Sequence, residues 1–155
     1  MDNIAGKADF LRHEYSKKLA ALDIDAPRQW GKMNVLQMIE HMTDYARIGS
    51  GKDIQTIQTP EEHLPKYRAF MATEKPFREN TPNSLMSDIP ALPKHSSKED
   101  AINELQQEMD YLFDAFEQEP GKKVINPFFG ELNYEESIQL LHKHAWHHLR
   151  QFGVE

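Results

Sequence analysis

The chain has no cysteine, and that absence excludes disulfides, thiolate metal ligands and a protein thiol nucleophile. A reducing cytoplasm is the compartment this composition fits best. Long apolar runs are missing as well: nothing approaches the roughly 20 consecutive apolar residues that cross a bilayer. The opening Met-Asp-Asn-Ile-Ala-Gly places no basic leader before an apolar stretch, so no secretion signal is expected. Positive charge is in deficit, with 18 Lys and Arg against 25 Asp and Glu and a formal net charge of −7. Such a surface repels a phosphate backbone, and Lys17-Lys18 and Lys122-Lys123 are too small to form a basic stripe. Neither a membrane nor nucleic acid is an expected partner. What remains is 155 residues, 39% hydrophobic and 28% charged, the size and composition of one globular domain over 1–155.

Apolar residues recur every three or four positions in four segments, the spacing of one helix face. Over about 3–22 the stripe is Ile4, Ala8, Leu11, Tyr15, Leu19 and Leu22; over about 34–50 it is Val35, Met38, Ile39, Met42 and Tyr45. Over about 97–118 it is Ile102, Leu105, Met109, Leu112, Phe113 and Phe116, and over about 134–152 Ile138, Leu141, Ala145, Leu149 and Phe152. Asn34 with Gln37, Ser96-Ser97-Lys98-Glu99, and Asn133 with Glu136 are capping patterns at three of the starts. Gly49 and Gly51 end the second segment, and the third stops before Pro120-Gly121. No stretch alternates with period two, so no sheet is predicted. The expected fold is all-α, a four-helix bundle in which the apolar stripes cover one another.

The stretch from about 51 to 96 interrupts this pattern with Pro60, Pro65, Pro76, Pro82, Pro90 and Pro93. A short helix is predicted inside it at 64–74. A connection of this length in a compact domain is usually functional, a lid or a crossover; a surface strap packed by Phe70, Phe77 and Leu85 is an equally good reading.

The last segment carries His142, His144, His147 and His148. Successive helical residues turn by about 100°, so His144 and His148 share a face one turn apart, together with Leu141, Ala145 and Phe152. Two imidazoles in that relation can share a metal ion. His142 sits on the far side and His147 on the flank. His41, beside Met38 and Tyr45 on the second stripe, is the natural third ligand; His13 falls on the surface of the first helix, and His63 and His95 fall in loops. Three neutral imidazoles and one open position describe a catalytic zinc-type site, and the same donors accept nickel, cobalt, iron or copper. The competing reading is that buried histidines simply hydrogen-bond to one another. Glu-x-x-His pairs of the di-iron kind and the zinc-protease His-Glu-x-x-His are both absent.

Several stretches taken together resemble the DinB/YfiT-like superfamily of metalloenzymes, in a branch of unknown function. They are Trp30-Gly31-Lys32-Met33-Asn34, Met38-Ile39-Glu40-His41-Met42-Thr43-Asp44, Asn126-Pro127-Phe128-Phe129-Gly130-Glu131-Leu132 and His147-His148-Leu149-Arg150-Gln151-Phe152-Gly153. The resemblance implies a four-helix bundle, often a homodimer, with zinc or nickel on His41, His144 and His148. It further implies a small-molecule substrate, since some relatives are transferases that use a low-molecular-weight thiol. Leu149 stands between His148 and Arg150, where many relatives have Arg directly after the histidine.

The function expected from this is a metal-dependent transferase or hydrolase that activates a water or a small thiol. Asp44 is the expected general base or hydrogen-bond partner of a ligand imidazole, whereas Glu40 reads as a solvated carboxylate. Trp30 and Trp146 read as packing anchors, Phe128-Phe129 as a plug at the bundle end, and Arg150 as half of a structural ion pair. Two alternatives of other classes remain: a non-catalytic bundle acting by dimerisation or partner binding, and a metal sensor or store.

Overall fold

A computed structural model of the chain describes residues 1–79 and 91–155. The fold is mostly helical, as predicted, and no helix among the described residues is long and apolar enough to cross a membrane. The first predicted helix is present in three consecutive pieces: α1 (Ile4–Asp9), a π-helical turn (Phe10–Glu14) and α2 (Tyr15–Ala21). In the π turn the Tyr15 N–H bonds the Phe10 carbonyl five residues back, which widens the turn. Leu11, Tyr15 and Leu19 all lie on the buried face, none more than 1% exposed.

The second helix, α3 (Val35–Gly49), begins in a capping box: Asn34 Oδ1 accepts from the Gln37 N–H at 2.8 Å, and Gln37 Oε1 from the Asn34 N–H at 2.9 Å. It stops where Gly51 adopts a φ of +81° that L side chains resist. Helix α4 (Leu64–Ala72) occupies the middle of the long connection, two residues shorter than predicted. Helix α5 (Lys98–Gln118) is capped by Ser97, whose hydroxyl accepts from the Asp100 N–H at 3.1 Å. Helix α6 (Tyr134–Gln151) repeats the full capping box at Asn133 and Glu136. Helix α3 packs along α5 and also touches α6. A buried carboxylate, Glu108 on α5, fastens the first of these contacts through Arg47 Nε at 3.1 Å and Lys52 Nζ at 2.6 Å.

The expectation of no sheet is corrected. Val124–Asn126 (β1) pairs antiparallel with Gly130–Leu132 (β2) in the register Val124↔Leu132, Ile125↔Glu131, Asn126↔Gly130. Three-residue strands are too short to show a period of two, so pattern reading passes over them. The turn is built from local chemistry instead. Asn126 Oδ1 accepts from the N–H groups of Phe128 and Phe129 at 2.8 and 3.1 Å, an Asx-type turn, and Gly130 supplies the positive φ of +84°. The Phe129 ring packs against Tyr67 and Phe77, so it supports the long connection.

That connection is fastened on both sides. Arg68 on α4 donates to the carbonyls of Phe129 and Glu131 at 3.0 and 2.7 Å and pairs with Glu136. Lys143 and Gln139 on α6 donate to the Thr73 carbonyl at 2.8 and 2.9 Å. Buried Lys7 on α1 reaches Glu74 at 2.5 Å and Gln139 at 2.7 Å; its hydrogen bond is the main reason the Glu74 carboxyl is lowered to about 2. Phe70 and Phe77 do pack together, with ring centres 5.8 Å apart. Leu85, the third residue expected in the strap, lies outside the described residues.

Candidate metal centre

Helix α3 contributes His41 and helix α6 contributes His144 and His148. Their Nε2 atoms converge: His41 and His144 are 3.0 Å apart, and His144 and His148 are 2.9 Å apart. One ring nitrogen from each lies within 4.8 Å of the others. His41 is 7% exposed and His148 5%, while His144 is half-buried. The cluster sits among aromatic rings. Tyr45 lies 5.0 Å from His41 and 4.7 Å from His144, and Phe77 lies 6.3 Å from His144. Burial in this setting disfavours the charged imidazole, so His41 falls to about 4 and His144 and His148 fall well below the ordinary value. All three are neutral at pH 7, the form in which imidazole binds metals.

A chain of hydrogen bonds decides which nitrogen of His148 carries the proton. The Trp30 carbonyl can only accept, and Gln151 Nε2 donates to it at 2.9 Å. The other end of the same amide, Oε1, therefore faces His148 Nδ1 at 2.8 Å and requires a proton there. The Nε2 of His148 is then a bare lone pair aimed at His144. If His144 donates to it, the single proton on that nitrogen is not free for His41. Hydrogen bonding among three neutral rings satisfies one of the two short contacts, and a cation satisfies both. Two nitrogens bound to one zinc at about 2.0–2.1 Å lie within about 4.2 Å of each other, and both short separations, 3.0 and 2.9 Å, fall inside that limit.

The other predicted residues separate clearly. Asp44 is 58% exposed and its carboxylate faces Arg47 Nη1 at 3.6 Å; among the described residues it makes no hydrogen bond to a triad histidine. Glu40 is not a solvated carboxylate. It is 13% exposed and accepts from the N–H groups of Lys94 and His95 at 2.9 and 2.8 Å, with His95 Nδ1 at 2.5 Å. Burial works against its charge, but these donors outweigh burial and lower the carboxyl below its ordinary value. Glu40 thus ties residues 94–95 to α3 one position from His41, with Gln37 Nε2 holding the Ala91 carbonyl at 2.9 Å. Replacing Glu40 with Ala is expected to cost about 1–3 kcal/mol. Amide hydrogen exchange at Lys94 and His95 should accelerate selectively, and unchanged exchange there would refute this anchoring.

His142 packs edge-on against Phe10, and His147 packs against Trp30 and Phe77, both outside the Nε2 cluster. Trp146 stacks on Phe10 at 5.4 Å, the packing role expected of it. Arg150 forms no ion pair among the described residues, contrary to its expected structural pairing. Gln151 was not predicted as a site residue. Its only sequence signal is its position three after His148, the spacing at which helix side chains meet.

A helical fold with a buried three-histidine cluster shared between two helices is the class of protein these observations define. The chain belongs to the DinB superfamily, whose sequence profile matches residues 10–152. No curated protein and no solved structure matched the chain.

Proposed function

We propose that this chain is a four-helix-bundle metalloprotein that holds one divalent ion, zinc or nickel, on His41, His144 and His148. In this reading it works as a transferase or hydrolase on a small molecule, acting through a water or a small thiol at the open position. A divalent ion on three neutral imidazoles supplies Lewis acidity that brings the pKa of such a ligand toward neutrality. The chain's own residues do the rest. Gln151 and the Trp30 carbonyl hold the His148 ring in one tautomer, Tyr45 and Phe77 wall the site with apolar surface, and Glu40 and Lys143 fix the connection on either side.

The observation that carries the proposal is the Gln151-directed lone pair of His148 meeting His144 Nε2 at 2.9 Å, with His41 Nε2 3.0 Å beyond. Neutral histidines bonded only to one another would leave one of these two short contacts without a proton. Metal analysis after expression with zinc or nickel tests it. One ion per chain is expected in the parent and none in a folded His41→Ala variant, with folding checked by circular dichroism. Unchanged stoichiometry in the variant refutes the ligand set. Conjugation of electrophiles to thiols, and ester or amide hydrolysis, should then exceed the rate of free ion; equality with free ion refutes the enzymatic reading.

A further inference from the structure

The loop ahead of α3 docks on the end of α6. The Gln29 N–H donates to the Gln151 carbonyl at 2.8 Å, and the Trp30 carbonyl accepts from Gln151 Nε2 at 2.9 Å. The Trp30 ring packs on His147 with centres 5.4 Å apart. Arg28 Nε donates to the Gly31 carbonyl at 3.1 Å, which closes the loop on itself. The backbone of residues 29–31 is thereby held against the one side chain that orients His148.

Gly31 stands at the tightest point of this contact. Its φ is +76°, in the left-handed region that L side chains rarely adopt. A Cβ built there would lie 2.6 Å from Gln151 Nε2, far inside the roughly 3.5–4.0 Å at which non-bonded carbon atoms meet. Gln29 and Arg28 hold the loop backbone in place, so the end of the Gln151 side chain is the part that must yield. That amide is planar and buried, 3% exposed. Displacing its Nε2 turns its Oε1 away from His148 Nδ1, now 2.8 Å distant.

We propose that Gly31 is a positioning residue of the metal centre. Its missing side chain lets the Trp30 carbonyl reach Gln151 Nε2. Gln151 in turn keeps the His148 proton on Nδ1 and leaves Nε2 free for the ion. This rests on the reading of the triad as a metal centre and extends that site from His148 through Gln151 to the loop. A carbonyl oxygen on the second nitrogen of a ligating imidazole fixes its tautomer and ring orientation, and losing it weakens metal binding about 10- to 100-fold.

Zinc affinity, measured by competition with a chelating dye, tests this, with imidazole-nitrogen NMR of the metal-free protein as the second readout. Gly31→Ala should weaken zinc binding by about 10- to 100-fold and give His148 a mixture of tautomers in place of Nδ1–H alone. Gly31→Asn brings the same Cβ but tolerates positive φ better. It should show the same two changes with a smaller fall in Tm. In a Gln151→Ala background, Gly31→Ala should weaken zinc further by about two-fold at most, because the route through the amide is already gone. Gly51→Ala is the control, since its φ is +81° and its Cβ would meet Val124 and Lys122 instead. Its Tm should fall while zinc affinity stays at the parent value. Parent-like affinity and tautomer in Gly31→Ala, equal losses of affinity in Gly31→Ala and Gly51→Ala, or fully additive losses in the double variant each overturn the role of Gly31 and leave the metal centre standing. A parent protein that binds no zinc overturns both.

Discussion

Zinc or nickel is expected to raise the unfolding free energy of the parent protein by about 4 kcal/mol at a free-ion concentration a thousand times Kd. For a domain of this size that is a rise in Tm on the order of 10 °C. In His144→Ala the same addition should raise it by nothing measurable. His144 is the informative position because its Nε2 makes both short contacts of the cluster, 3.0 Å to His41 and 2.9 Å to His148. Removing it leaves two nitrogens on separate helices. Gln151→Ala should fall between the two. It keeps every ligand but frees the His148 ring to turn and to exchange tautomers, and losing such a partner typically weakens binding 10- to 100-fold. Differential scanning calorimetry with and without ion resolves the three. An equal metal-induced rise in parent and His144→Ala would show that ions stabilise this protein elsewhere.

The metal-free protein, kept so with a chelator, is expected to lose stability as pH falls from 6.5 toward 4. The sign follows from which state binds protons. In the unfolded chain a histidine takes up a proton near pH 6.5, whereas burial holds His41 neutral in the fold down to about 4. Between those values the unfolded state carries the extra proton, so acid favours unfolding. His41 alone accounts for about 3 kcal/mol of this loss when the window has been crossed. Burial also holds His144 and His148 well below the ordinary value, and His142 and His147 fall to about 4, again chiefly through burial. The carboxylates act in a different range. Glu40 and Glu74 are lowered, so their contributions persist above the ordinary carboxylate pKa and disappear only below about 4.5. Denaturant titrations at pH 7, 6 and 5 therefore isolate the histidines. Stability that stays flat from pH 7 to 5 would mean that these rings are not held neutral.

The triad was legible because its signal is local periodicity plus one chemical type. His144 and His148 are one turn apart on a stripe with Leu141 and Ala145, and His41 lies on a second stripe with Met38 and Tyr45, so helical geometry alone turned all three inward. The role of Glu40 was not legible. An acidic residue at the edge of an amphipathic helix is normally solvated, and nothing near it in the sequence signals that Lys94 and His95, more than fifty residues away, will bring their N–H groups to it. The β1–β2 hairpin was missed for the opposite reason, since its strands are shorter than the period that would reveal them.

The sequence by itself determined the main helices, their caps and which histidines lie on inward faces, because each depends on residues within about two helical turns. Only the tertiary structure decided that Gln151 would link the Trp30 carbonyl to His148 and that Lys7, Gln139 and Lys143 would pin the connection. Those outcomes depend on groups brought together from distant parts of the chain. Hydrogen bonds act over about 3 Å, and no spacing along the sequence encodes which distant donors and acceptors will come within that reach.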